Sequence, residues 1–354
     1  MQPKTTSKNF WKSKRILLTG FNGFKGSWMT LMLNQLGAKV YGYSLNSKKE
    51  KKMNKIFNLE KNCEDFIYGN LLNKPKLLKF YKKVRPHIII HMASQSIVLD
   101  GYANPLNTFL TNNIGLCNLL LLDKTNVKFK KTPIFVLTSD KCYENNESNK
   151  HFKESDSLSG DDPYSASKAC QEIICNSLRK SYGLNISTAR AGNVIGGGDF
   201  TENRIITDII NSIYLNKKLL IRNVNSTRPW QHVLDININY LKFIKAFYKN
   251  SKLAQSWNFG PKNSLSVGKI LNFFKQKKNL KYVIKKSKVK EKKKLNLSTN
   301  KIYKKLKIKN NYSINKSLNL TLDWYEIFYS KRGDVYPYTI KQIKKIIHET
   351  KINK

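Results

Sequence analysis

The chain has 354 residues, 40% of them hydrophobic, enough for one large domain or two smaller ones and incompatible with disorder throughout. Its 65 basic and 23 acidic residues give a net charge of +42, but only eight of the 65 are arginine, and the lysines run the whole length among Asn and Ile. That spread fits compositional drift better than a dedicated polyanion-binding face, so no nucleic-acid partner is expected; the densest run, KSKVKEKKK over 286–294, has no aromatic ring within it and reads as solvated surface.

The opening MQPKTTSKNFWKSK lacks the apolar run of a secretory leader, and no later stretch approaches 18 uncharged apolar residues. A cytoplasmic protein without a membrane span is the expectation. Cys63, Cys117, Cys142, Cys170 and Cys175 are odd in number and contain no CxxC spacing, so buried free thiols, and no metal, are expected.

In chain order, RILLTG from Arg15 is an apolar run of strand length, followed by the turn FNGFKG. Trp28, Leu31, Leu33 and Leu36 then suit a helix, Gly37 its stop, and Val40 to Tyr43 a second strand: a βαβ opening. Strand-length runs recur at His87 to Ala93, Pro133 to Asp140 and Asn185 to Gly196, each separated by enough chain for a helix. This alternation predicts a doubly wound, largely parallel sheet. Beyond Gly196 the rhythm loosens, and a smaller second lobe is expected to begin there.

Within TGFNGFKG, Gly20, Gly23 and Gly26 stand three apart where strand becomes helix. Glycines there let backbone approach a pyrophosphate, and the helix N-terminus offers it free N–H groups. No acid follows the second strand, where Tyr43 to Asn46 stand, and Lys48 and Lys49 would tolerate a 2′-phosphate, so these residues leave NAD and NADP both open. Further on, DPYSASKA places Tyr164 and Lys168 one helical turn apart on one face. A lysine ammonium there favours the phenolate, making Tyr164 a base for a hydroxyl proton as hydride leaves the same carbon. Three of the eight arginines, Arg204, Arg222 and Arg228, fall within 25 residues, and arginine binds phosphate with two parallel hydrogen bonds.

The combination TGxxGxxG plus YxxxK resembles the extended short-chain dehydrogenase/reductases that act on nucleotide sugars. FNGFKGSW, TSDKCYEN, DDPYSASKACQE, RAGNVIGGGDF, RPWQHV and WNFGP look like the CDP-glucose 4,6-dehydratase family, over nearly the whole chain from Phe10 to LDWYEIFYS. The resemblance implies an α/β fold: a Rossmann-like doubly wound parallel sheet with a smaller C-terminal substrate-binding lobe. Residues 10–195 would form the NAD-binding domain, with part of 233–256 returning to it, and 196–354 mainly the substrate lobe. It implies NAD as the cofactor, held by Gly20, Gly23, Phe24, Gly26, Asn70, Leu71, Ala93, Gln95, Asn112, Tyr164 and Lys168. It also implies a chemistry: Tyr164 takes the sugar 4-hydroxyl proton as hydride leaves C4, water is lost across C5 and C6, and hydride returns to C6. Lys168 would hold Tyr164 and the nicotinamide ribose, and Thr138 or Ser139 would orient the 4-hydroxyl. Asp140 is the expected acid to the 6-hydroxyl, and Lys141, where dTDP-glucose relatives have glutamate, the C5 base or a cation for the enolate. CDP-glucose would meet Asn193, Arg204, Arg222, Arg228 and His232, and two copies would pair through a four-helix bundle that includes the Tyr164 helix.

Three positions depart from the family: Asn70 for an aspartate that meets the adenine amino group, Thr207 for a proline, and Ser94 for an alanine. Residue chemistry leaves the nucleotide base undetermined, so dTDP-glucose or GDP-mannose dehydration and 4-epimerisation remain enzymatic alternatives. A basic nucleotide-binding scaffold is the non-enzymatic one.

Overall fold

The computed structural model describes residues 9–147, 150–285, 292, 294–330 and 333–352, with the backbone alone for 48–50. Seven strands form one parallel sheet: β1 (Arg15–Thr19), β2 (Lys39–Ser44), β3 (Asp65–Tyr68), β4 (Ile88–His91), β5 (Ile134–Leu137), β6 (Ile186–Ala191) and β7 (Ser256–Phe259). Their order is β7-β6-β5-β4-β1-β2-β3, reversing direction between β1 and β4. The strand-length runs read as apolar on both faces because both faces are covered. Ile16, Leu18, Ile88, Ile90, Phe135 and Leu137 enter one buried cluster, while Leu17, Ile89, Ile134 and Val136 enter the other, as alternation along a strand requires.

The opening βαβ unit forms as the pattern predicts, with its helix over Phe24–Gln35 and Gly37 at φ +79° just past its end. The Asn185 to Gly196 run departs from expectation by splitting: β6 stops at Ala191, and Val194–Ile195 pairs instead with Gln231–His232. Two sheet strands escaped the sequence reading, β3 and β7; each is four residues, with a polar residue at its start. The helix Pro163–Tyr182 is well delimited. The Asp162 carboxylate accepts the Ser165 N–H at 2.9 Å, proline occupies the first turn, and Gly183 ends it at φ +66°.

Beyond Ile195 the chain makes short two-stranded pairings and helices, including Ile205–Leu215, Val233–Lys249, Val267–Lys277 and Ile314–Tyr329. The Ile314–Tyr329 helix ties the tip of RAGNVIGGGDF in place, since Tyr325 donates to the Asp199 carbonyl at 2.7 Å. Among the described residues no helix is long and apolar enough to cross a membrane. All five cysteines are free, but the expectation that all are buried fails: Cys142 and Cys175 are buried, Cys63 and Cys117 half-buried, and Cys170 exposed on the outer face of the Pro163–Tyr182 helix. Most of the 286–294 lysine run lies outside the described residues, as do the side chains of Lys48 and Lys49.

Candidate active site

In a doubly wound sheet, ligands bind at the carboxyl ends of the strands, near the point where strand order reverses. β1, β4 and β5 all end here. Gly20 leaves β1 at φ +71°, and a Cβ there would lie 2.6 Å from the Ala93 nitrogen after β4. A Cβ at Gly26 would collide with the Gly20 carbonyl oxygen. Gly23 begins the twelve-residue helix with no side-chain cap, so its first N–H groups remain available to an anion. Thr19 Oγ1 and His91 Nδ1 lie 2.8 Å apart beneath the turn, while the buried His91 Nε2 has no partner among the described residues. This cradle and its free donors fit a dinucleotide pyrophosphate.

Other expected cofactor residues take different parts. Asn112 is fully buried; its Oδ1 accepts from Ser94 Oγ and the Gln95 N–H, and its Nδ2 donates to Ser167 Oγ at 2.9 Å. The Gln95 amide nitrogen donates to Thr108 Oγ1 and to the Ile97 carbonyl, both at 3.0 Å. Asn112 therefore staples the loop after β4 to the Tyr164 helix, while Gln95 ties that loop to itself and to Thr108, and the departing Ser94 joins the Asn112 staple. Phe24 and Leu71 are packed in the two cores. Asn70 is exposed at the rim, its Oδ1 accepting the Leu72 N–H at 2.9 Å.

After β5 the chain bends into a 3-10 turn over Asp140–Cys142, which releases Asp140 and Lys141 from the strict alternation of a strand and leaves the Lys141 charge close enough to act on Asp140. Ser139 caps that turn, with its oxygen accepting the Lys141 N–H at 3.2 Å. Thr138 differs from expectation. Its hydroxyl donates to Glu172 Oε1 at 2.6 Å, so of the two candidates Ser139 is the one left beside Tyr164. Asp140 is 3% exposed, and burial raises its pKa against the opposing pull of Lys141 and Arg228. Its Oδ2 has no partner among the described residues. A carboxyl held this way keeps its proton to higher pH, as an acid must.

Tyr164 and Lys168 share one helix face, with the ammonium 6.0 Å from the centre of the phenol ring. The sequence reading expected lysine to favour the phenolate; burial instead dominates both groups. It pushes Tyr164 up to about 12, opposed by the Ser139 hydroxyl, and Lys168 down to about 7, helped by Lys25. The physical reason is that desolvation penalises either charged form. Lys168 Nζ donates to Gln171 Oε1 at 3.0 Å. Lys25, lowered to about 8 by burial and then by Arg204, stands near Asp140 and Asp199 and was missed from sequence. Its signal was available: a lysine set between two glycines of a phosphate-binding turn.

Of the expected substrate residues, Arg228 is buried beside Asp140, and the Arg204 guanidinium pairs with Asp199 Oδ2 at 3.1 Å while reaching Ser96 Oγ at 3.2 Å. Arg222 is exposed and touches Asn203 Oδ1 only at 3.5 Å. Asn193 is half-buried, its carbonyl accepting the Gln231 N–H. His232 belongs to the core instead. It is fully buried between the rings of Trp28 and Tyr312, each 6.2 Å away, and its Nδ1 accepts the Leu234 N–H as a helix cap.

Residues 17–324 match the family model described as GDP-mannose 4,6 dehydratase. The chain is 38% identical to the CDP-glucose 4,6-dehydratase of Salmonella typhimurium, over 72% of this chain and 73% of that protein. It belongs to the NAD-dependent nucleotide-sugar 4,6-dehydratases. Solved structures with the same fold include UDP-glucose 4-epimerase of Thermotoga maritima, with TM-score 0.79, 19% identity and 89% of this chain against 99% of that one. Another is dTDP-glucose 4,6-dehydratase of Bacillus anthracis in complex with NAD, with TM-score 0.74, 22% identity and 89% against 97%.

Behind the dehydratase site lies a network that sequence reading also missed. Glu172, one turn beyond Lys168 on the same face, is 1% exposed and pairs with Arg190 Nη2 at 3.0 Å. It accepts further from Thr138, Thr188 and Ser256 hydroxyls at 2.6, 2.8 and 2.8 Å. Arg190, a fully charged neighbour, holds the Glu172 pKa low despite burial. The Tyr164 helix is thereby fixed to the ends of β5, β6 and β7.

Proposed function

We propose that this dehydratase converts CDP-glucose to CDP-4-dehydro-6-deoxyglucose in the cytoplasm, supplying a 6-deoxy sugar for lipopolysaccharide or another surface glycan. One observation carries the reading: in a chain 38% identical to a CDP-glucose 4,6-dehydratase, Asp140, its pKa raised by burial, and its neighbour Lys141 occupy the same turn that brings Ser139 to Tyr164. An epimerase has no use for that acid–base pair.

In this reading Ser139 orients the sugar 4-hydroxyl and Tyr164 takes its proton. Lys168 holds Tyr164 from one turn below. Bound NAD supplies the hydride acceptor for C4 and the hydride donor for C6. Asp140 protonates the departing 6-hydroxyl, and Lys141 serves the C5 position, as base or as cation beside the enolate. Arg228 and Arg204 hold the diphosphate with Asn193 beside them, and Arg222 lies at the outer rim. Residues 10–195, with part of 233–256, form the cofactor domain, and 196–354 mainly the substrate lobe.

The molecule pairs with a second copy through the Tyr164 helix. Supporting this, Phe109, Leu110, Ile114, Cys170, Ile173 and Ile174, with Asn113 the one polar residue among them, line an open cavity of about 390 Å³. Ile173 is 58% exposed and Leu106, nearby in sequence to that lining, 68%.

Parallel incubation with CDP-glucose, dTDP-glucose and GDP-mannose, followed by the alkaline absorbance of the keto-sugar, tests the assignment. Signal from CDP-glucose alone is expected. Signal from another nucleotide sugar instead would overturn the base specificity, and a 4-epimer with no loss of water would overturn the reaction.

A further inference from the structure

A second cavity of about 640 Å³ opens beside the amino end of β7, and none of its lining residues belongs to the catalytic machinery. Four cations line it: Lys153, Arg179, Lys301 and Lys304. Glu154 is the one carboxylate among the lining residues, and its Oε1 already accepts the Asn258 N–H at 2.9 Å. Among the described residues none of the four cations forms an ion pair within 4 Å. Arg179 is half-buried with only long bonds to neutral acceptors, 3.3 Å to the Ile186 carbonyl and 3.4 Å to Asn176 Oδ1. Lys301 Nζ donates to the Ser256 carbonyl at 2.8 Å and lies 4.3 Å from the Trp257 ring centre. Burial lowers the pKa of both groups, opposed by Glu172 at Arg179 and by Glu154 at Lys301, with nearby cationic charge as a smaller contribution in the same direction as burial. Four cations around a cavity with one lining carboxylate leave an excess of positive charge there, which an arriving anion neutralises.

We propose that this cavity is a binding site for a small diphosphate-bearing anion, separate from the nucleotide-sugar cleft. A planar guanidinium with three ammonium groups suits several phosphate oxygens at once. The cavity is roomier than a single phosphate needs, yet no aromatic ring lines it, and Trp257 is sealed beneath Lys301. It therefore offers a nucleobase nothing to stack on. The floor reaches the catalytic frame, because Ser256 lines the cavity while its hydroxyl donates to Glu172.

Inorganic pyrophosphate is the probe, titrated calorimetrically into enzyme already saturated with NAD and CDP so that the known phosphate sites are filled. One residual binding event is expected, weakened at least about tenfold, ~1.4 kcal/mol, in the exposed pair Lys153→Ala/Lys304→Ala. Lys301→Met, which keeps the packing on Trp257, should weaken it similarly. The control pair Lys275→Ala/Lys344→Ala, on other surfaces, should leave it unchanged. No residual binding, or equal weakening by the control pair, overturns the proposal, the latter by showing general attraction to a cationic surface. The readout is binding, so failure here is distinct from failure of the CDP-glucose assignment.

Discussion

At the level of single residues, burial rather than pairing sets the resting charge of the site. In the nucleotide-free protein Tyr164 is raised to about 12 and Lys168 lowered to about 7, so the phenol must first lose its own proton before it can accept the sugar's, a loss that the positive charge of oxidised NAD, once bound, would favour. Tyr164→Phe removes the proton acceptor and should lower turnover by about 10²–10⁴ while leaving nucleotide affinity nearly intact, measured by steady-state kinetics and calorimetry. Retained turnover would take the phenol out of the mechanism. For Lys168 the sign is worked out by linkage. Its pKa is lower folded than unfolded, so the folded protein holds fewer protons between about pH 7 and 10.5, and stability rises with pH across that window. Below about 7 the cost of burying the ammonium is present in full. Lys168→Met should therefore raise the melting temperature of nucleotide-free protein at pH 6 by a few degrees, a gain that shrinks toward pH 10, while turnover falls. Lys141 separates two chemistries with one pair of variants. If it is the C5 base, Lys141→Arg and Lys141→Met both lose elimination; if it acts as a cation, Arg preserves much of the rate and Met does not, as read by C5 proton exchange with solvent deuterium.

Among the elements, the turn after β1 and the Tyr164 helix do most to build the site. Gly26→Ala sets a methyl against the Gly20 carbonyl oxygen, backbone that has no flexible end to move aside. NAD affinity should fall at least about tenfold, ~1.4 kcal/mol, in a fluorescence titration, and an unchanged affinity would mean the turn is not the pyrophosphate cradle. These two elements were legible in sequence because both rest on local rules: glycine where φ is positive or space is absent, and a four-residue helical repeat. The same repeat continues to Glu172, yet nothing local announces that its carboxylate meets Thr138, Thr188, Arg190 and Ser256 from three strands. Those partners are up to 84 residues away in the chain.

At the scale of the whole molecule, the Tyr164 helix and the residues around Phe109–Ile114 leave isoleucines and a cysteine in the open on one face. Exposed apolar side chains gathered on one face are what the proposed pairing would cover. Under the proposed pairing, wild-type protein sediments as a dimer and Ile173→Lys as a monomer, without a lower melting temperature of the protomer core; a wild-type protein already monomeric at micromolar concentration would refute the pairing.

Sequence by itself determined the parallel doubly wound sheet, the dinucleotide turn and the Tyr164/Lys168 face, because periodicity and steric need are properties of neighbouring residues. Only the tertiary structure decided which polar groups remain free for chemistry. Thr138, Gln95, Asn112 and His232 look like site residues along the chain, but the fold engages them as fasteners: Thr138 and Asn112 bond to the Tyr164 helix, Gln95 ties the loop after β4 to Thr108, and His232 caps its own helix while packed between the rings of Trp28 and Tyr312. Lys25, unremarked in sequence, is carried to the acids instead. Hydrogen-bond commitment and desolvation depend on what surrounds a group in three dimensions, and those surroundings exist only after the sheet has closed around it.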